Sequence, residues 1–181
     1  MNRSRDKVRC ALNHQNAGSI PVDFGSTAVT GIHCRIVEAL RNYYGLAPRP
    51  VKIVDAFQML GEIDAELAEK IGVDCIGIGG PKDIFDLDTT HMHEQTTPWG
   101  QRVLVPEAMD LTPDMRGDVY VYAGGDQNYP PSAVMPKGCY FINAIERQQP
   151  IEEDRLDPED NVEEFVSGRL FFMPLVIQSI K

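Results

Sequence analysis

The side chains suited to chemistry are few and widely spread. The stretch TTHMHEQTTPWG, residues 89–100, sets His91 and His93 two apart. On a strand, alternate residues share a face, so both imidazoles could address one ligand. A tetrahedral metal site needs four donors, and no cysteine lies close enough in sequence to complete one. The stretch is dense in Thr, Glu and Gln and reads as a polar loop. His91 and His93 are therefore candidates for substrate contact on a lid, and no metal is expected. His33 and Cys34 are adjacent on a predicted helix, where neighbours point about 100° apart, so they make a poor zinc pair. Asp23 and His33 are the catalytic candidates, one ending a predicted strand and the other near the start of the next helix. Asp83, just after GIGGPK, is a further candidate for substrate contact. The glycines of GIGG would cradle a phosphate only if a helix followed directly, and PKDIFD argues for a loop.

The elements that must position these residues alternate at first. Ser4 can cap a helix with Val8, Ala11 and Leu12 on its inner face, ending near His14. IPVDFG, residues 20–25, reads as a short strand. Thr30 is a predicted N-cap for a helix burying Ile32, Ile36, Val37 and Leu40 and stopped by Gly45. An extended piece follows at 51–54. Asp64 caps a helix through Ile71, with Leu67 and Ile71 inward, Glu66 paired to Lys70 and Gly72 as its stop. VDCIGIG then reads as an apolar strand. Strand–helix alternation implies parallel pairing through helical crossovers. From about 99 to 145 the chain turns β-rich, with QRVLVPEAM, DVYVYAGG and PSAVMPKGCYFINA separated by Gly, Pro, Asp and Asn. Trp99-Gly100 is expected to anchor the start of that stretch by packing. Beyond Ile145 an acidic run reads as a solvated linker.

Composition excludes several partners. The 181 residues carry a formal charge of −10, and no basic patch could displace counterions from nucleic acid. The same charge disfavours an anionic membrane surface. No apolar run approaches the roughly 18 residues of a spanning helix, and the charged N-terminus MNRSRDKVRC has no signal-peptide core. Cys10, Cys34, Cys75 and Cys139 are scattered, without a CxxC pair, as in a reducing cytoplasmic setting.

In order and spacing, several segments resemble the uroporphyrinogen decarboxylase superfamily, and more closely its decarboxylase-like and corrinoid methyltransferase-like branch. They are the helix ending in R…ALNHQ, IPVDFGSTAVTGIH, VDAFQMLGEIDAELAEKIGVD, TPWG and YPPSAVMPKGCYF, which run from about residue 4 to about 165. The resemblance implies a (β/α)8 barrel with its site at the C-terminal ends of the strands. Such a barrel takes about 250 residues, so the chain is expected to be a partial barrel. On this reading residues 1–165 are the N-terminal βα units, 99–145 is a small antiparallel β-rich insertion, and 166–181 is a divergent apolar tail. The strands near 20–24 and 73–78 should then be parallel neighbours.

By that resemblance the chemistry is decarboxylation of a tetrapyrrole in porphyrin biosynthesis. The alternative is corrinoid-dependent methyl transfer, with zinc or corrinoid as possible cofactors of a full-length protein and none expected in this chain. Decarboxylases carry an arginine-rich motif after the first strand, where this chain reads DFGSTAVTG, and proline falls where a family aspartate would align after the second. The methyltransferases bind zinc through a His-x-Cys motif and a later Cys, none of which occurs here. The partners expected are a small-molecule substrate or a corrinoid protein, together with self-association or a missing barrel half. A third expectation is a chain inactive by itself, a fragment or interaction partner.

Overall fold

The computed structural model describes residues 4–147. Helix α1 spans Ser4–Leu12 and buries none of its residues; Lys7 holds it to Asp74 at 2.8 Å. Helix α2 spans Cys34–Tyr43. Strands β1 (Val51–Asp55) and β2 (Leu60–Gly61) follow. Helix α3, Ala65–Ile71, begins where expected: the Asp64 carboxylate accepts from the N–H groups of Glu66 and Leu67, at 3.0 and 3.1 Å. It ends at Gly72, whose left-handed φ of 82° suits glycine. Strands β3 (Met92–Thr96), β4 (Arg102–Pro106), β5 (Val119–Val121), β6 (Ala133–Met135) and β7 (Asn143–Ala144) complete the fold, with a 3-10 turn at Ala123–Gly125.

The strands form two sheets, one in the order β2-β1-β4-β3 and one in the order β5-β6-β7. Among the described residues only β1 and β4 are parallel, with Val51 opposite Val103; every other pair is antiparallel. Period-two burial sets which side faces in. Val51 and Ile53 of β1, Val103 and Val105 of β4, Val119 and Val121 of β5, and Ala133 and Met135 of β6 are all buried. They join Cys34 and Val37 of α2 and Leu67 of α3 in one apolar cluster. Gly61 lets β2 approach α2, since a Cβ there would meet Val51 at 2.6 Å, Val37 at 2.8 Å and the Cys34 backbone at 3.0 Å.

This architecture overturns the expected partial (β/α)8 barrel. It is a mixed α/β fold, and its strands are not joined by repeated helical crossovers. Neither 20–24 nor 73–78 forms a strand. The two segments touch, but through a single backbone bond, Asp74 N–H to the Val22 carbonyl at 2.8 Å, and a bond from the Val22 N–H to the Asp74 carboxylate. The sequence explains why a ladder fails: Pro21 lacks a donor, and Gly77, Gly79 and Gly80 bring no side chains to pack. Helix α2 starts at Cys34 rather than near Thr30, because His33 is its cap; Thr30 is used in a turn with Thr27. Glu66 pairs with Arg41 across the fold, not with Lys70 along its own helix. Among the described residues no helix is long and apolar enough to cross a membrane. The acidic run after Arg147 and the apolar tail lie outside the described residues.

Candidate functional site

Building the site starts at the cap of α2. The His33 Nδ1 accepts from the Arg35 N–H at 3.2 Å, occupying one of the donors a helix N-terminus leaves open. Its Nε2 lies 3.0 Å from the Tyr140 carbonyl. A carbonyl only accepts, so Nε2 carries the proton and the ring is neutral. Burial, the largest influence, holds the imidazole below its ordinary pKa of 6.5; the Tyr140 carbonyl opposes this and the Arg35 charge reinforces it.

Three aromatic rings surround this imidazole. Trp99 is 5.5 Å away, centre to centre, Phe141 5.3 Å and Tyr140 6.1 Å, the last two edge-on. Trp99 and Tyr140 also meet at 5.2 Å, and the Arg35 guanidinium lies 4.6 Å over the Tyr140 ring. Trp99 is half-buried, while Tyr140, Phe141 and Arg35 are exposed. Polar bonds beneath fix the patch. The Trp99 indole N–H and the Cys34 thiol both donate to Gln101 Oε1, at 3.0 and 3.3 Å. The Gln101 amide donates to the Cys34 carbonyl at 3.0 Å. Among the described residues Arg35 forms no ion pair.

The Cys34 thiol is held in its protonated form. The residue is fully buried, and burial pushes its thiol up to about 12, far from the thiolate that zinc or an electrophile requires. With both His33 nitrogens also engaged, the adjacent pair does not fit zinc. Among the described residues no group of three or more His, Cys, Asp or Glu could hold a metal ion.

The other sequence candidates fall elsewhere. Asp23 commits its carboxylate to its own turn, accepting from the Ser26 N–H at 3.2 Å and the Thr30 hydroxyl at 3.3 Å. His91 precedes β3 and faces solvent, 3.0 Å from Asp88. His93 lies in β3, its Nε2 receiving the Gln95 amide at 2.8 Å and its Nδ1 3.8 Å from Glu107. The two histidines thus serve different partners. Asp83 is half-buried in the 81–88 loop, where one oxygen accepts from the Phe85 and Leu87 N–H groups. Of the five candidates only His33 belongs to the patch. Sequence reading gave Trp99 a packing role and passed over Arg35, Tyr140 and Phe141. The available signal was aromatic residues in two motif segments about forty positions apart.

No family model, no curated protein and no solved structure matches this chain.

Proposed function

We propose that this chain is a uroporphyrinogen decarboxylase-like protein that holds a tetrapyrrole-class macrocycle against the aromatic patch at the start of α2. Convergence carries the reading. The segments behind the sequence resemblance lie far apart in the chain, yet their side chains meet at one place: His33 from VTGIH, Trp99 from TPWG, and Tyr140 with Phe141 from GCYF. Pyrrole rings have flat apolar faces that stack on Trp, Tyr and Phe, each such pairing contributing about 0.5–1.5 kcal/mol beyond area burial. Arg35, a cation over the Tyr140 ring with no ion pair among the described residues, suits a peripheral carboxylate. Decarboxylation releases carbon dioxide and leaves a carbanion to be protonated. His33 has both nitrogens engaged, so in this reading it positions the patch and does not deliver that proton.

Methyl transfer from a corrinoid is favoured by one observation: residues 20–31 contain no arginine. A corrin periphery rich in amides needs fewer cations than a ring bearing many carboxylates. Its zinc chemistry finds no ligand set at His33 and Cys34, and no step is assigned to it.

Trp99 is the only tryptophan, so its emission reports directly on the patch. Titration with uroporphyrin, corrected for absorbance with free tryptophan, is expected to quench that emission saturably. Arg35→Ala should weaken binding about tenfold, the loss of one charge-assisted contact. Saturation by a cobalamin alone would select methyl transfer. Saturation by neither would sink the proposal.

A further inference from the structure

We infer that His33 is a proton-controlled latch: neutral, it pins the Tyr140-Phe141 strip to the start of α2, and protonated, it releases that strip and opens the aromatic patch. The inference rests on the geometry of the patch and not on any ligand proposed for it.

One ring orientation serves two bonds. The Nδ1 lone pair receives the Arg35 N–H, and the Nε2 proton reaches the Tyr140 carbonyl 107 positions away in sequence. A second proton can go only on Nδ1. There it would face the Arg35 N–H as a second donor across 3.2 Å, and the positive end of the α2 dipole would repel the new charge. The ring must then turn, and a ring turned away from α2 no longer meets the Tyr140 carbonyl.

The surroundings offer the imidazolium little compensation. From α2 the facing charge is Arg35, a cation; Glu38, one turn on, bears on Cys34. The Cys34 thiol, 3.8 Å from Nδ1, stays neutral. From the segment before β4 come Trp99 and Gln101, both uncharged. From the 139–141 strip come the Tyr140 and Phe141 rings, and from β2 only the backbone of Leu60. Burial and Arg35 accordingly hold the pKa below 6.5 against the pull of the Tyr140 carbonyl.

The strip is built to move locally. On one side Ile142 is buried and its N–H donates to the Phe57 carbonyl at 3.0 Å. On the other, the Cys139 N–H closes a turn onto Pro136 at 2.9 Å. Between these fixed points Tyr140 and Phe141 are exposed, and the bond to His33 ties their backbone down. Release therefore shifts two aromatic side chains at the patch while the core stays intact.

Imidazolium quenches tryptophan more strongly than neutral imidazole, and Trp99 is 5.5 Å from His33. Emission followed between about pH 4.5 and 8, with no ligand present, spans the histidine range. The expected record is a single step with its midpoint below 6.5, absent from His33→Asn. Asparagine keeps an oxygen to cap α2 and cannot titrate. Two further measurements use the intact chain. The His33 ring resonance should titrate over the same step, and amide exchange at residues 139–141, relative to the variant at equal pH, should rise several-fold across it. A step that persists in the variant would overturn the latch, as would a wild-type midpoint at or above 6.5 or an exchange ratio that does not change.

Discussion

At Asp83 one carboxylate oxygen is satisfied twice and the other not at all. Oδ1 accepts from the Phe85 and Leu87 N–H groups at 2.8 and 3.0 Å, while Oδ2 is buried without a partner. Burial, with smaller repulsions from Asp55 and Asp86, raises its pKa above the ordinary 3.8. The folded chain thus holds this proton to higher pH than the unfolded chain does. The stabilisation is fully present below 3.8 and is lost as pH rises through the folded value, so at neutral pH the charged form is a liability. Asp83→Asn keeps the accepting oxygen and removes the charge. It should gain up to about 1 kcal/mol at pH 7, or about 2–4 °C in Tm, and the gain should vanish at pH 3. Thermal scans at both values would check this, and a loss at pH 7 would show that the charge is used. The same residue shows what sequence could reveal of the site. Asp83 and His33 stand out by type alone, but whether a polar group is tied to its own turn or joins a cluster depends on its neighbours. Asp23 and His33 looked alike in sequence, at the ends of adjacent elements. One closed a local turn; the other met Trp99 and Tyr140, residues no local pattern connects to it.

Between elements, the guanidinium of Arg41 links α2 to α3. It leaves α2 with only 3% exposure and donates to Asp64, to Glu66 at 2.9 Å and to the Ala47 carbonyl at 2.8 Å. Arg49 adds a second cation to Asp64 at 2.6 Å. Burial opposes ionisation of Asp64, but the Leu67 N–H and the two arginines outweigh it and lower its pKa. Asp64 therefore caps α3 and ties that helix to α2 with one side chain. Arg41→Ala would leave Asp64 to Arg49 and the α3 N–H groups, and losing the charge-assisted bonds of Arg41 should cost about 1.5–3 kcal/mol by urea denaturation. Arg41→Lys should recover little of it, since an ammonium cannot reach three acceptors in a planar fork. A cost under about 1 kcal/mol, the range of exposed pairs, would mean that water already screens the cluster. Helix α3 was legible in sequence because its signals are local: a capping aspartate, an apolar residue at Leu67 and a stop at Gly72. Strands β4, β5 and β6 carry the expected alternation, but the stretch 99–145 is not the separate antiparallel insertion expected, because β4 pairs in parallel with β1 and antiparallel with β3 outside it. The parallel sheet was not legible, because a short apolar run such as VDCIGIG has the composition of a strand whether or not a partner exists. Nothing local announced that β1 would pair with β4, about fifty positions on.

Across the whole molecule, the two segments that failed to become strands leave an apolar edge. Ile20, Ile76 and Ile78 are 86%, 86% and 98% exposed, whereas the core strands bury their alternate residues almost completely. Ile76 and Ile78 flank Gly77, and both are exposed. Gly77 between them packs so close to Ser26 that a Cβ would come within 2.2 Å of its carbonyl oxygen, which fixes the segment against its neighbour with both isoleucines outward. Among the described residues the two segments share one backbone bond, and backbone left unpaired along such an edge is a template for another chain. The net charge of −10 repels copies at long range, but over about 8 Å at physiological salt that repulsion is screened. Apolar area then decides the outcome. The full chain is expected to self-associate, with sedimentation showing a weight-average mass that climbs with protein concentration and climbs faster at higher salt. Replacing Ile20, Ile76 and Ile78 together with serine should hold the mass at 20.2 kDa without lowering Tm, because those side chains are solvated already. A wild-type chain that stays monomeric at every concentration and salt would show that this edge is tolerated in water.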